Sequence, residues 1–236
     1  MKYEAIMFDL DGTLLPMDMK VFTNGYFNDL SKKLAQYNIE HDTLVATIWA
    51  GTAAMVKNDG SKKNIDAFWE KFYSILPLNN TGIDKDCDDF YGNEFIEAKR
   101  FTMDNPLAVK AVETAKRKAD KVILATNPLF PMAGQKTRLS WVNLLADDFD
   151  FVTSYESDCY CKPNPKYFTS VCERMNLNPS KCLMIGNDEN EDMYAATVAG
   201  LDCYLVTDTM IPSKEHPWEG PKGTFAEMIS MLESLD

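Results

Sequence analysis

The chain opens on a short apolar run, Ala5-Ile6-Met7-Phe8, that ends abruptly in Asp9-Leu10-Asp11-Gly12-Thr13. A continuous apolar run closed by a turn signal predicts a strand buried on both faces of a parallel sheet. After Thr13 the pattern changes. From residue 17 to 103 apolar positions take up helical spacing: Phe22, Tyr26, Leu30 and Leu34 recur every fourth residue, and Ile65, Phe68, Trp69, Phe72, Tyr73 and Leu76 form one stripe. Leu44, Val45, Ile48 and Trp49 predict another helix, and residues 90–98 a weaker one. Turn clusters stand at Asn58-Asp59-Gly60-Ser61 and Asn79-Asn80-Thr81-Gly82. This stretch reads as a bundle of about four helices. Its aromatic stripe is expected to pack inside the bundle, with the lining of a ligand pocket as the rarer use.

Asn105-Pro106 reads as a cap and a first-turn proline, opening a helix that runs to about residue 119. Strands then alternate with helices. Strands are expected at 122–125, 149–152, 182–185 and 203–206, and helices at 131–145, 165–175, 189–199 and 224–235. Such alternation predicts a parallel sheet covered on both faces. The expected fold class is therefore α/β. A doubly wound parallel sheet would be built from residues 1–16 and 104–236, with a second, smaller all-helical domain, residues 17–103, inserted after the first strand.

Composition acts mainly by exclusion. A net charge of -12 repels phosphate backbones and anionic lipid, so neither nucleic acid nor membrane is expected as a partner. No apolar run approaches the roughly 20 residues that span a bilayer. No signal peptide is visible ahead of the first strand, and a cytoplasmic location is expected. The six cysteines are scattered without a CxxC pair and are expected to be reduced thiols.

The candidate chemistry lies at strand ends, where ligands bind in sheets of this kind. The first strand ends in Asp9, with Asp11 expected on the same side of an extended backbone. Another ends in Thr126-Asn127-Pro128, and a third in Gly186-Asn187-Asp188, with Asp192 four residues on. Lys162-Pro163-Asn164-Pro165 lies in a loop before a helix. Two acids this close suit a hard divalent cation, or a nucleophile paired with a proton donor. Taken singly, each feature has a plainer reading: a turn at Asp11-Gly12, a cap at Thr126-Asn127, helix-start acids at Asp188 and Asp192, a solvated lysine at Lys162.

Taken in order, these residues resemble the haloacid dehalogenase-like (HAD) hydrolase superfamily. Asp9-Leu10-Asp11-Gly12-Thr13 matches its first motif, Thr126 its second, Lys162 its third, and the acids of 186–192 its fourth. The resemblance implies a Rossmann-like core and a C1-type helical cap. It implies Asp9 as the nucleophile that forms an aspartyl-phosphate, and Asp11 as the acid and then the base. Lys162 would be the catalytic and phosphate-binding cation, and Thr126 and the Asn127 N–H would bind phosphoryl oxygens. The implied cofactor is Mg²⁺, held by Asp9, the Asp11 carbonyl and Asp188. Where the family usually has aspartate directly after the strand-end glycine, this chain has Asn187. The metal role therefore passes to Asp188. Asn187, contacting the ion or its waters instead, is the alternative, and Asp192 orients the site from outside the ion's ligands. The implied activity is a Mg²⁺-dependent phosphatase acting on a small phosphorylated metabolite. The alternatives are a phosphomutase or other phosphotransferase of the same superfamily, or a non-catalytic HAD-fold binding protein. Substrate identity, oligomeric state and the role of the 209–222 loop carry no signal in the sequence.

Overall fold

The computed structural model describes residues 3–235. Its centre is an all-parallel sheet of six strands: β1 (Tyr3–Phe8), β2 (Ala119–Leu124), β3 (Phe151–Val152), β4 (Cys182–Gly186), β5 (Asp202–Val206) and β6 (Lys222–Gly223). They lie in the order β3-β2-β1-β4-β5-β6. β1 is central, and Phe8 stands level with Leu124 of β2 and Ile185 of β4. The strand order reverses between β1 and β4, which is where a crevice opens in doubly wound sheets.

Successive side chains of β1 explain its unbroken apolar run. Ile6 and Phe8 join the core on one face with Val112, Ala115 and Met228. Ala5 and Met7 join the other with Phe168 and Val171. Both faces are covered, so no position is left for a polar residue.

Between β1 and the helix preceding β2, all helical and strand structure is helical. α1 (Met19–Lys33), α2 (His41–Val56), α3 (Asn64–Ile75) and α4 (Ile83–Gly92) are followed by a 3₁₀ stretch, Glu94–Phe101. Asp18 caps α1 by accepting from the N–H groups of Lys20 and Val21. The helix expected across 90–98 is broken at Asn93, whose backbone (φ -126°, ψ -81°) leaves the helical region. The chain enters and leaves this region at one place, where the Met103 N–H donates to Pro16. Phe22 and Phe95 pack on Trp141 and so join the apolar cluster under the sheet.

The remaining helices are α5 (Ala108–Lys118), α6 (Met132–Ser140), α7 (Lys166–Met175), α8 (Ala195–Val198) and α9 (Phe225–Glu233). A widened turn, Glu189–Tyr194, leads into α8. The helix expected over 131–145 stops at Ser140, and the following turn passes through Asn143 in the left-handed region (φ 59°). The strand expected over 149–152 is regular only at its last two residues, because Asp150 turns its carboxylate onto the Val122 N–H. β6 carries no strand signal of its own. No described helix is long and apolar enough to cross a membrane. All six cysteines are free thiols.

Candidate active site

β1, β2 and β4 end at one level, and the residues just past them line a pocket of about 220 Å³. Asp9, Asp11, Thr126, Asn127, Asn187, Asp188 and Asp192 all contribute to it. Pieces of chain up to 183 positions apart in number therefore converge, because the parallel register puts every strand's carboxyl end on the same edge.

Asp9 still follows the sheet, its N–H donating to Ile185. The extended backbone expected to carry Asp9 and Asp11 on one side does not persist. The chain turns at once, with the N–H groups of Thr13 and Leu15 both donating to the Leu10 carbonyl. Leu10 is driven into the core, and both acids still reach the same pocket. Gly12 makes the turn possible: its φ of +91° disfavours other residues, and a Cβ there would collide with the Asn187 amide.

Lys162 is 1% exposed. Its Nζ lies 2.9 Å from Asp9 Oδ1 and 2.6 Å from Asp192 Oδ1. Burial works against its charge, but Asp192 and Asp9 outweigh that and hold the ammonium well above its ordinary pKa. One cation thus serves two buried acids. Asp192 takes the shorter contact, and its second oxygen accepts from the N–H groups of Asn187 and Asp188 at 3.0 and 3.1 Å. Asp9 is less well compensated. Burial pushes its carboxyl up to about 8, against the pull of Lys162 and with the help of Asp192 and Asp11. Lys162 is placed by its own backbone, which is clamped by the Asn127 side chain: Oδ1 accepts from the Lys162 N–H and Nδ2 donates to its carbonyl.

Thr126 is buried. Its carbonyl accepts from the hydroxyls of Thr153 and Tyr167. Its own hydroxyl and the Asn127 N–H have no protein acceptor among the described residues, so both remain available to a ligand.

Both ends of the Asn187 amide are engaged. Nδ2 donates to the Thr209 carbonyl at 2.8 Å, and Oδ1 accepts from the Thr13 hydroxyl at 3.2 Å. Asp188 uses one oxygen to cap the following turn, accepting from the N–H groups of Asn190 and Glu191. Its other oxygen takes no hydrogen bond among the described residues. Burial raises the Asp188 carboxyl.

Three contributions were not anticipated. Arg138 of α6 is fully buried, pairs with Asp11 Oδ2, and lies with its guanidinium carbon 4.0 Å from the centre of the Phe130 ring. Glu191 accepts from Asn127 Nδ2, and burial, aided by Asp188, pushes it up to about 7. Thr13 bridges Asp9 and Asn187. Part of the uninterpreted 209–222 loop also closes over the site. Thr209 bonds the Gly12 carbonyl, Ile211 lines the pocket, and buried Glu189 anchors the loop through the N–H groups of Ser213 and Trp218.

The donor set fits a hard cation. Among the described residues five carboxylates line the pocket, and the two cations paired with them are Lys162 and Arg138. Asp11 Oδ1 is buried without a hydrogen-bond partner. Among the described residues no three acidic, imidazole or thiol groups form a ready-made metal cage.

The fold and this strand-end cluster define a hydrolase of the doubly wound α/β class. The chain belongs to the haloacid dehalogenase-like hydrolase family, whose model matches residues 3–200. It is 32% identical over 89 residues to a glyceraldehyde 3-phosphate phosphatase of Methanothermobacter thermautotrophicus, a match spanning 37% of this chain and only 39% of that protein. It is 24% identical over 209 residues to a ribulose-1,5-bisphosphate 5-phosphatase of Halopiger xanaduensis, covering 85% of this chain and 83% of that one. A HAD-hydrolase of Bacillus subtilis, solved bound to magnesium and described as revealing interdomain movement, superposes with a TM-score of 0.59 at 17% identity, over 98% of this chain and 99% of that one. This last likeness is one of fold.

Proposed function

We propose that this protein is a Mg²⁺-dependent phosphatase that hydrolyses a small phosphomonoester through a phospho-Asp9 intermediate. Residues 17–103 would form a cap over a core of residues 1–16 and 104–236. The observation that carries this reading is the Asp9 carboxylate in a pocket with the buried Lys162 ammonium 2.9 Å away and the uncommitted Thr126 hydroxyl beside it. The phosphatase names of two relatives support the reaction class.

An Asp9 oxygen attacks phosphorus, forming one O–P bond as the bond to the alcohol oxygen breaks. Asp11 gives the leaving oxygen its proton. It then takes a proton from the water that attacks phosphorus, so that phosphate departs and Asp9 is regenerated. Because Asp11 is paired with Arg138, this role requires that pair to open when substrate enters. The Thr126 hydroxyl and the Asn127 N–H donate to phosphoryl oxygens, and Lys162 adds a fixed positive charge. Asp9, the Asp11 carbonyl and Asp188 would hold Mg²⁺, whose charge lets an anionic nucleophile approach an anionic phosphate. Asn187, whose amide is committed to Thr209 and Thr13, supports the Gly12 turn, and Asp192 holds Lys162 in place.

The test is phosphate release from acetyl phosphate, with Mg²⁺ or with EDTA, by wild type and by Asp9→Asn. Release should require both the metal and Asp9. Equal rates in wild type and mutant would defeat the reading.

A further inference from the structure

A second cavity, of about 150 Å³, lies among α1–α4 and the loop after β2. It adjoins the strand-end pocket: Met19, Leu129 and Phe130 line both. From this we infer that the substrate is a phosphomonoester whose alcohol carries one uncharged apolar group, about the size of a single ring, held among these helices. The inference rests on the phosphatase reading and adds the chemistry of the leaving group.

Three observations carry it. The first is the wall, which is built of aromatic and aliphatic side chains that include the stripe residues Phe68, Trp69 and Phe72. A dry apolar cavity of about 150 Å³ is large enough to hold benzene. The second is charge. Among the described residues no lysine, arginine or histidine lines either cavity. Lys162 and Arg138 nearby are already paired with acids. A substrate with a second phosphate or a carboxylate would bury that charge against an apolar wall with no uncommitted cation, a costly placement. The third is the state of the polar groups on the wall. The Tyr155 hydroxyl donates to Asp88, and the Thr52 hydroxyl donates to the Ile48 carbonyl. A polyhydroxylated alcohol buried here would find partners for few of its hydroxyls, since the wall is mostly apolar. An apolar ring would lose nothing and would gain from leaving water.

The experiment compares kcat/KM of the full chain with Mg²⁺ for benzyl phosphate, glycerol phosphate and phosphoglycolate, three alkyl phosphomonoesters. Acetyl phosphate serves as a reporter of phosphoryl transfer that needs no cavity. Benzyl phosphate should exceed both others by about a hundredfold, in keeping with what apolar pockets discriminate. Thr52→Trp, which fills the cavity, should raise the benzyl phosphate KM about tenfold and leave acetyl phosphate hydrolysis unchanged; Thr23→Phe should do the same from another wall. If acetyl phosphate is hydrolysed but phosphoglycolate or glycerol phosphate matches benzyl phosphate, the inference is overturned while the phosphatase reading stands. If acetyl phosphate is not hydrolysed either, both fall.

Discussion

Replacing Lys162 with methionine keeps most of the side chain's bulk and removes the charge standing between two buried acids. The ammonium lies 2.9 Å from Asp9 and 2.6 Å from Asp192, at 1% exposure. Breaking a buried pair by deleting one partner costs about 3–5 kcal/mol, because the other charge is left uncompensated. Asp192 keeps two backbone N–H donors. The larger share of the loss therefore falls on Asp9, whose carboxyl burial already pushes up to about 8. Asp9 can escape part of that cost by taking a proton. In EDTA we expect a loss of about 3 kcal/mol at pH 8 and a smaller one at pH 6. Urea unfolding followed by circular dichroism reads both. Adding Asp192→Asn should recover about 0.5–3 kcal/mol of the loss, as coupled neighbours do. A loss below about 1 kcal/mol at pH 8, with no recovery in the double mutant, would refute the reasoning.

Other outcomes follow from the same geometry. Asp9 has a folded-state pKa near 8, far above its ordinary value, so the metal-free folded protein binds the extra proton and loses stability as pH rises from about 4 to 8, by up to about 1.4 kcal/mol per unit. Thermal melts in EDTA across that range should show this slope, and Asp9→Asn should flatten it; an unchanged slope in the mutant would remove Asp9 as its source. Arg138→Met leaves Asp11 without its buried partner and should cost about 3 kcal/mol in urea unfolding, much of it restored by adding Asp11→Asn. Asn187→Asp replaces the donor to the Thr209 carbonyl with an acceptor, and should destabilise the metal-free protein by about 1–3 kcal/mol in the same assay.

The parts of the site that the sequence made legible are those with a local signal. Asp9, Thr126 and Asp188 follow apolar strands directly, and the sheet's parallel register brings them together. Lys162 was legible only through its place in an ordered set of motifs, since nothing around it marks a buried cation. Arg138 was not legible, because its partner is 127 positions away. The available hint was that Gly134, Gln135 and Arg138 share a buried face of α6 with Leu139. Glu191 was hidden by composition: in a run of acids each looks solvated, and only the fold shows that this one points at Asn127. The aromatic stripe of α3 was read as packing. Phe72 is indeed buried, but Phe68, Trp69 and Phe72 also wall a cavity, a distinction that helical spacing does not encode. β6 and the break at Asn93 escaped because two-residue strands and 3₁₀ turns have no periodicity to read.

The most direct test of the central claim is to mix the protein with radiolabelled acetyl phosphate and Mg²⁺, quench in acid within one turnover, and map the label. The account requires phosphate on the peptide bearing Asp9, absent in EDTA and in Asp9→Asn. Phosphate released at full rate with no label on that peptide, or label retained in Asp9→Asn, would contradict it.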